Sequence, residues 1–203
     1  MRSRPKLSEL GSSLVSDILD QLGVEGVVPG LSPIYEGAFA VGRAMPVLIE
    51  SKPNAPKGLR EGLNEAVDAA GKGAVLVISS DTRSCSIWGG LTSLYAKLSG
   101  IAGVVACGAT RDTREIARLR LPVFSYTVTP VSGYNRVEVL SVGYPVKCEP
   151  ITVQKDDLVV ADKDGTVVVP TAMVQDVLDR ATPLLAKEKQ QIRDLRKKVR
   201  GTH

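Results

Sequence analysis

Apolar residues first fall into register near the start of the chain. Leu14, Val15, Ile18, Leu19 and Leu22 share one helical face, and Gly23 follows as a stop. Pro29, Gly30 and Pro33 mark a connection, and the mixed stretch over residues 37–50 reads as one or two strands. Lys52-Pro53-Asn54-Ala55-Pro56 reads as a loop. Leu59, Leu63, Val67 and Ala70 then recur at helical spacing, closed by Gly71, and predict a second helix.

The period changes in the middle of the chain. Residues 74–78 are continuously apolar and predict a buried strand; Leu91, Leu94, Tyr95 and Leu98 predict a helix ended by Gly100. Residues 104–106 read as a second strand, 112–119 as a short helix and 122–124 as a third strand. This β-α-β-α-β alternation implies parallel strands with helical crossovers, an α/β fold. Residues 137–140, 151–153, 158–161 and 166–169 read as short strands, with Asp164-Gly165 as a turn, and form a β-rich extension. From Thr171 onward, Val174, Val177, Leu178, Ala181 and Leu185 continue into Ile192, Leu195 and Val199 and predict a C-terminal helix, with a kink expected at Pro183. Without repeats or a low-complexity linker, the chain divides into one domain over residues 1–186 and a basic helical tail over 187–203.

Composition narrows the chemistry. The 203 residues are 43% hydrophobic and 24% charged, a globular balance. No apolar run approaches the roughly 20 residues of a membrane span, and the basic start MRSRPKLSEL has no apolar region behind it, so neither a membrane anchor nor a signal peptide is expected. Cys85, Cys107 and Cys148 are odd in number and widely spaced, which argues against a disulfide framework or zinc knuckle and for a reducing cytoplasm. The only histidine is His203, at the end of the chain, so mechanisms needing an internal histidine are excluded. The net charge of +4 is uneven: residues 187–203 carry seven bases against Glu188 and Asp194, leaving −1 for the rest. The basicity therefore belongs to a tail, and a nucleic-acid partner is not expected.

Right-handed crossovers bring the C-terminal ends of parallel strands to one edge of the sheet, where ligands of open α/β sheets bind. The loop after the first strand delivers Gly89-Gly90 to the helix beginning near Leu91, and Cys107-Gly108-Ala109-Thr110 delivers Arg111 and Asp112 to the next helix. Two helix starts, an arginine and a carboxylate should converge. Free N–H groups and the helix dipole suit a carboxylate or phosphate, glycines allow close approach, Arg111 can clamp an anion and Asp112 can hold a hard cation such as Mg²⁺ or Mn²⁺. The same residues also suit structural duties. Asp112 favours a helix start, Arg111 a solvated surface and Gly89-Gly90 a tight turn. Glu115, one turn beyond Asp112, suits a solvated position, Cys107 an inert core thiol, and Trp88 an apolar anchor rather than a substrate platform.

At these residues the sequence resembles the RraA-like family, which includes the regulator of ribonuclease activity A and the class II 4-hydroxy-4-methyl-2-oxoglutarate aldolases. Many members carry an older demethylmenaquinone methyltransferase label. The carrying pieces are Trp88-Gly89-Gly90-Leu91, the stretch from Ala102-Gly103-Val104 to Thr110-Arg111-Asp112, Leu121-Pro122-Val123-Phe124, and the stretch from Val159-Val160-Ala161-Asp162 to Val169-Pro170. The resemblance implies a compact swivelling β/β/α-type domain, assembled as a trimer or dimer of trimers. It also implies a site for a small 2-oxo acid held by Gly89, Gly90, Leu91, Thr92 and Arg111, with Asp112 leading to a divalent metal. The aldolases carry an acid twenty-one positions before the arginine; here that position is Gly90.

Two functions follow from the resemblance. The first is a metal-dependent lyase, in which Arg111 and Asp112 support retro-aldol cleavage of a 4-hydroxy-2-oxo acid or decarboxylation of oxaloacetate, releasing pyruvate. Glu115 or a neighbouring subunit would then supply the missing acid. The second is a non-catalytic regulator that binds and inhibits an RNA-processing enzyme. A methyltransferase is disfavoured, because no glycine-rich loop follows a first strand with an acid about twenty residues later.

Overall fold

A computed structural model describes residues 6–54 and 58–200 of the chain; Met1, His203 and the Ala55-Pro56 part of the expected loop lie outside the described residues. In chain order the elements are α1 (Ser12–Gln21), β1 (Val27–Val28), β2 (Ser32–Pro33), β3 (Ala40–Ser51), α2 (Leu59–Ala70), β4 (Val75–Ser80), β5 (Ser86–Trp88) and α3 (Gly90–Leu98). They continue with β6 (Gly103–Thr110), α4 (Thr113–Leu119), β7 (Val123–Val128), β8 (Val137–Val142), β9 (Val146–Cys148), β10 (Ile151–Val153), β11 (Leu158–Ala161), β12 (Thr166–Val169) and α5 (Val174–Arg200). The main sheet runs β1-β12-β11-β3-β4-β6-β7-β2, with β5 added on β6 and β8 on β3. The fold is the α/β class expected, and its parallel core is larger than the alternation suggested. β3, β4, β6 and β7 are all mutually parallel neighbours, joined through α2, α3 and α4.

Both faces of this sheet are covered, which is why its strands read as unbroken apolar runs. Leu76 and Ile78 point into a layer with Leu63 and Val67 of α2, Ala96 of α3 and Ile116 of α4. Val75 and Val77 point the opposite way, toward Phe124, Val146, Ile151 and Val159 of the β-rich half. A third layer packs Val15, Ile18 and Leu19 of α1 and Val177 and Ala181 of α5 on Leu158, Val160, Val167 and Val169. β3 links the halves: residues 40–43 pair antiparallel with β11, and residues 44–49 pair parallel with β4.

One expectation is corrected. Cys107 and Cys148 form a disulfide, Cα to Cα 5.9 Å, rather than standing as separate thiols. Alternation on β6 turns Cys107 to the same inner layer as Cys148 on β9, a meeting that spacing along the chain cannot show. Cys85 is the free cysteine among the described residues; it is buried, and burial pushes its thiol up, away from thiolate chemistry. The expected C-terminal helix is α5, which runs on past Pro183. Toward its end Ile192, Leu195 and Val199 are exposed.

The start of α1 is capped from across the fold. Asp162, at the turn between β11 and β12, accepts the Ser12 N–H at 2.8 Å and the Ser12 hydroxyl at 2.6 Å. Burial alone would raise its carboxyl, but these bonds and those from the Asp164 and Gly165 N–H groups outweigh it and hold it below the usual carboxylate range. Asp162→Ala is expected to cost about 1–2 kcal/mol near neutral pH, as loss of a helix cap does. Because the folded carboxyl is depressed, its contribution is present above the ordinary carboxylate range and fades as pH falls below about 4. Thermal melts of the two proteins should differ at pH 7 and converge in acid; equal melts at pH 7 would contradict the capping role.

Candidate active site

The site is assembled at the ends of β5 and β6. The Arg111 N–H donates to the Trp88 carbonyl at 3.0 Å, tying the two strand ends together. Asp112 then turns the chain with φ 57° and ψ 35°, a left-handed conformation that aspartate tolerates better than most side chains. Its carbonyl accepts the N–H groups of Glu115 and Ile116 at 2.9 and 3.1 Å and so begins α4. Its carboxylate reaches across to α3 instead of capping its own helix. Oδ2 accepts the Gly90 N–H at 3.0 Å and lies 3.4 Å from Arg111 Nε.

Gly89 is extended and immediately precedes α3. A Cβ there would stand 3.0 Å from Asp112 Oδ2 and 3.3 Å from Arg111 Cγ, so the bare backbone lets the arginine and the aspartate close on the helix start. Beneath them the buried Trp88 donates from Nε1 to Ser93 Oγ at 2.7 Å, and that hydroxyl donates to the Gly89 carbonyl at 2.8 Å. Trp88 is thus an anchor that pins the first turn of α3. The N–H groups of Leu91 and Thr92 have no hydrogen-bond partner among the described residues, and they point the positive end of α3 at any anion beside Arg111.

Gly89, Gly90, Leu91, Thr92, Arg111 and Asp112 all line one cleft of about 340 Å³, within the range of small-molecule sites. The sequence did not point to the rest of its lining, formed by residues 58–61 at the start of α2, Ser86, and residues 132–134. A signal existed: once β3 is recognised as a parallel strand, the crossover rule brings the start of α2 to the same edge. Gly133 seats its loop against β5, since a Cβ there would lie 2.3 Å from the Ser86 carbonyl oxygen. Glu115 is half-exposed and pairs with Arg118 at 3.5 Å; it borders a second depression shared with Gly90, Leu91, Leu94 and Asp112.

The donor set can be tested against a divalent ion. No group of three histidine, cysteine or acidic side chains able to hold a metal occurs among the described residues. Asp112 Oδ1 has no hydrogen-bond partner among them, so a hard cation would take one carboxylate oxygen and complete its shell with water and ligand oxygens. Mg²⁺ and Mn²⁺ suit such a set; Zn²⁺ in its closed structural form does not.

Comparison with known proteins agrees with this architecture. The chain is 29% identical over 185 residues to Protein DlpA of Legionella pneumophila, covering 90% of this chain but only 30% of the length of DlpA. It is 30% identical over 173 residues to a Halalkalibacterium halodurans protein named "Putative 4-hydroxy-4-methyl-2-oxoglutarate aldolase", covering 84% of this chain and 77% of that one. Streptomyces coelicolor RraAS2, described as an unusual member of the RNase ES inhibitor RraA protein family, shares the fold with a TM-score of 0.80 at 24% identity, over 93% of this chain and 98% of that one. No helix among the described residues is long and apolar enough to cross a membrane. Residues 13–168 match the RraA-like family, described as Aldolase/RraA, and the chain belongs to that family.

Proposed function

We propose that the chain is a lyase for small 2-oxo acids, releasing pyruvate from a 4-hydroxy-2-oxo acid or from oxaloacetate. The observation that carries this reading is the convergence of Arg111, the open N–H groups of Leu91 and Thr92, and the Asp112 carboxylate in one cleft. Arg111 and the two N–H groups hold the substrate carboxylate, a charge-assisted arrangement with two-point geometry. Asp112 would hold Mg²⁺ or Mn²⁺, which when bound supplies a Lewis acid for the adjacent C2 carbonyl. With the carboxylate fixed, the C3–C4 bond breaks and its electron pair stays on C3 as a pyruvate enolate, while C4 leaves as CO₂ from oxaloacetate or as a carbonyl compound from the deprotonated 4-hydroxy acid; the enolate charge would face the start of α3 and the Arg111 guanidinium. A proton returned to C3 completes pyruvate. Retro-aldol cleavage also needs a base for the 4-hydroxyl, and Gly90 offers none. Glu115 or a neighbouring copy in a homo-oligomer would have to serve. The exposed apolar face of α3 (Leu91, Leu94, Leu98) and the stripe on α5 support such an assembly, a trimer in this reading.

Gly90 favours a second reading, a regulator that keeps the cleft without turning substrate over and restrains an RNA-processing enzyme. A pyruvate-release assay decides between them, run with oxaloacetate and with 4-hydroxy-4-methyl-2-oxoglutarate, with Mg²⁺ or Mn²⁺ and with chelator. The lyase reading expects metal-dependent release that Arg111→Ala reduces by roughly 10²-fold or more, the scale of losing one charge-stabilising donor. Release unaffected by Arg111→Ala would sink the assignment of this cleft.

A further inference from the structure

Resting on the reading of the cleft as a 2-oxo acid site, we propose that Arg60 is its second anion-binding residue and selects substrates bearing a distal carboxylate. Arg60 lies in the first turn of α2 and lines the same cleft as Arg111. Two arginines therefore line one cleft, each followed by an acid and each beside a helix start: Arg111 and Asp112 by α3, and Arg60 and Glu61 in α2.

The acids do not cancel the arginines equally well. Arg111 and Asp112 approach within 3.4 Å, whereas Arg60 Nη2 stands 4.0 Å from Glu61 Oε1, the limit of an ion pair, with both side chains more than half exposed. Such a pair is worth little and is easily exchanged for a ligand. Glu61 is instead drawn back across the first turn of α2, its Oε2 lying where a side chain on Gly58 would begin. That leaves the planar guanidinium of Arg60 with its forked donors for a carboxylate. Ser132 and Tyr134, both neutral, line the same cleft. A cleft of about 340 Å³ suits a compact chain with an acid at each end.

The test is calorimetric titration of the full chain in Mg²⁺ buffer with pyruvate, which has one carboxylate, and with 2-oxoglutarate, which has two. Wild type should bind 2-oxoglutarate more tightly. Arg60→Ala should lower the ratio of the two affinities about tenfold, the scale of one charge-assisted contact at a partly exposed site, and Arg60→Lys should restore part of it. Arg111→Ala should weaken both ligands. A ratio unchanged by Arg60→Ala, or a wild type with no preference, overturns the role of Arg60 and leaves the 2-oxo acid reading standing. Wild type that binds neither ligand overturns that reading and this proposal together. Thermal melts confirm folding, and the exposure of Arg60 makes a structural failure of Arg60→Ala unexpected.

Discussion

Gly90→Asp is expected to raise metal-dependent pyruvate release from oxaloacetate by about 10²–10⁴-fold over a weak wild-type activity, the contribution of a positioned proton-transfer group. Gly90 is the first residue of α3 and its φ is not positive, so backbone strain does not oppose a side chain. A Cβ would stand 3.2 Å from Asp112 Cβ and 3.5 Å from Glu115 Cβ, which requires a shift of a few tenths of an ångström. The new carboxylate would lie beside Asp112, where two acids share a charge that a divalent cation neutralises. Arg111→Ala in the Gly90→Asp background should remove the gain. Asp112→Asn should remove its metal dependence while keeping the left-handed turn, which asparagine also tolerates. A Gly90→Asp protein that melts like wild type, binds Mg²⁺ and gains nothing would show that the site has left lyase chemistry, and the regulator reading would take its place.

The second large effect concerns stability. Cys148→Ser is expected to lower it by about 4 kcal/mol, since the disulfide closes a loop of 41 residues in the unfolded chain. For a domain of this size that is roughly 8–16 °C in Tm. Both half-cystines are buried between β6 and the β9-β10 hairpin, so the lost link also loosens that hairpin. Reductant should lower the melting temperature of wild type by a similar amount and leave Cys148→Ser unmoved. A wild type indifferent to reductant would mean that the two cysteines serve as packed thiols, as their spacing alone suggests.

That case shows what the chain discloses about itself and what it does not. Residues 74–78 and 104–106 announce buried parallel strands because both faces are covered and the apolar run is unbroken. The convergence of Gly89, Gly90, Arg111 and Asp112 follows from strand–loop–helix order, since crossover handedness leaves one edge for all of it. β3 was harder. Its Gly42, Arg43 and Pro46 interrupt the apolar run and hide that a single strand serves both halves of the fold. With residues 37–50 read as one or two strands of no assigned direction, the start of α2 had no assigned edge, and Arg60 and Glu61 stayed out of the site. The Cys107–Cys148 pairing and the capping of Ser12 by Asp162 join residues 41 and 150 positions apart, and neither leaves a local trace. The left-handed turn at Asp112 is likewise a product of its surroundings, because aspartate at a helix start ordinarily caps its own helix.

The division of β3 between the two halves has a consequence for synthesis. Residues 40–43 pair with residues 158–161, which the ribosome has yet to make when β3 emerges. At about 5–20 residues per second, the first third of β3 waits roughly 6–24 s for its partner strand. The apolar face of α1 waits as well, because Val15, Ile18 and Leu19 pack on β11 and β12. The nascent chain can complete β4, β6 and β7 on the later part of β3 during that interval, so the parallel half forms first and the β-rich half closes over it. A chain interrupted before residue 158 presents an unpaired edge at residues 40–43 and a bare helix face, both open to pairing with another chain.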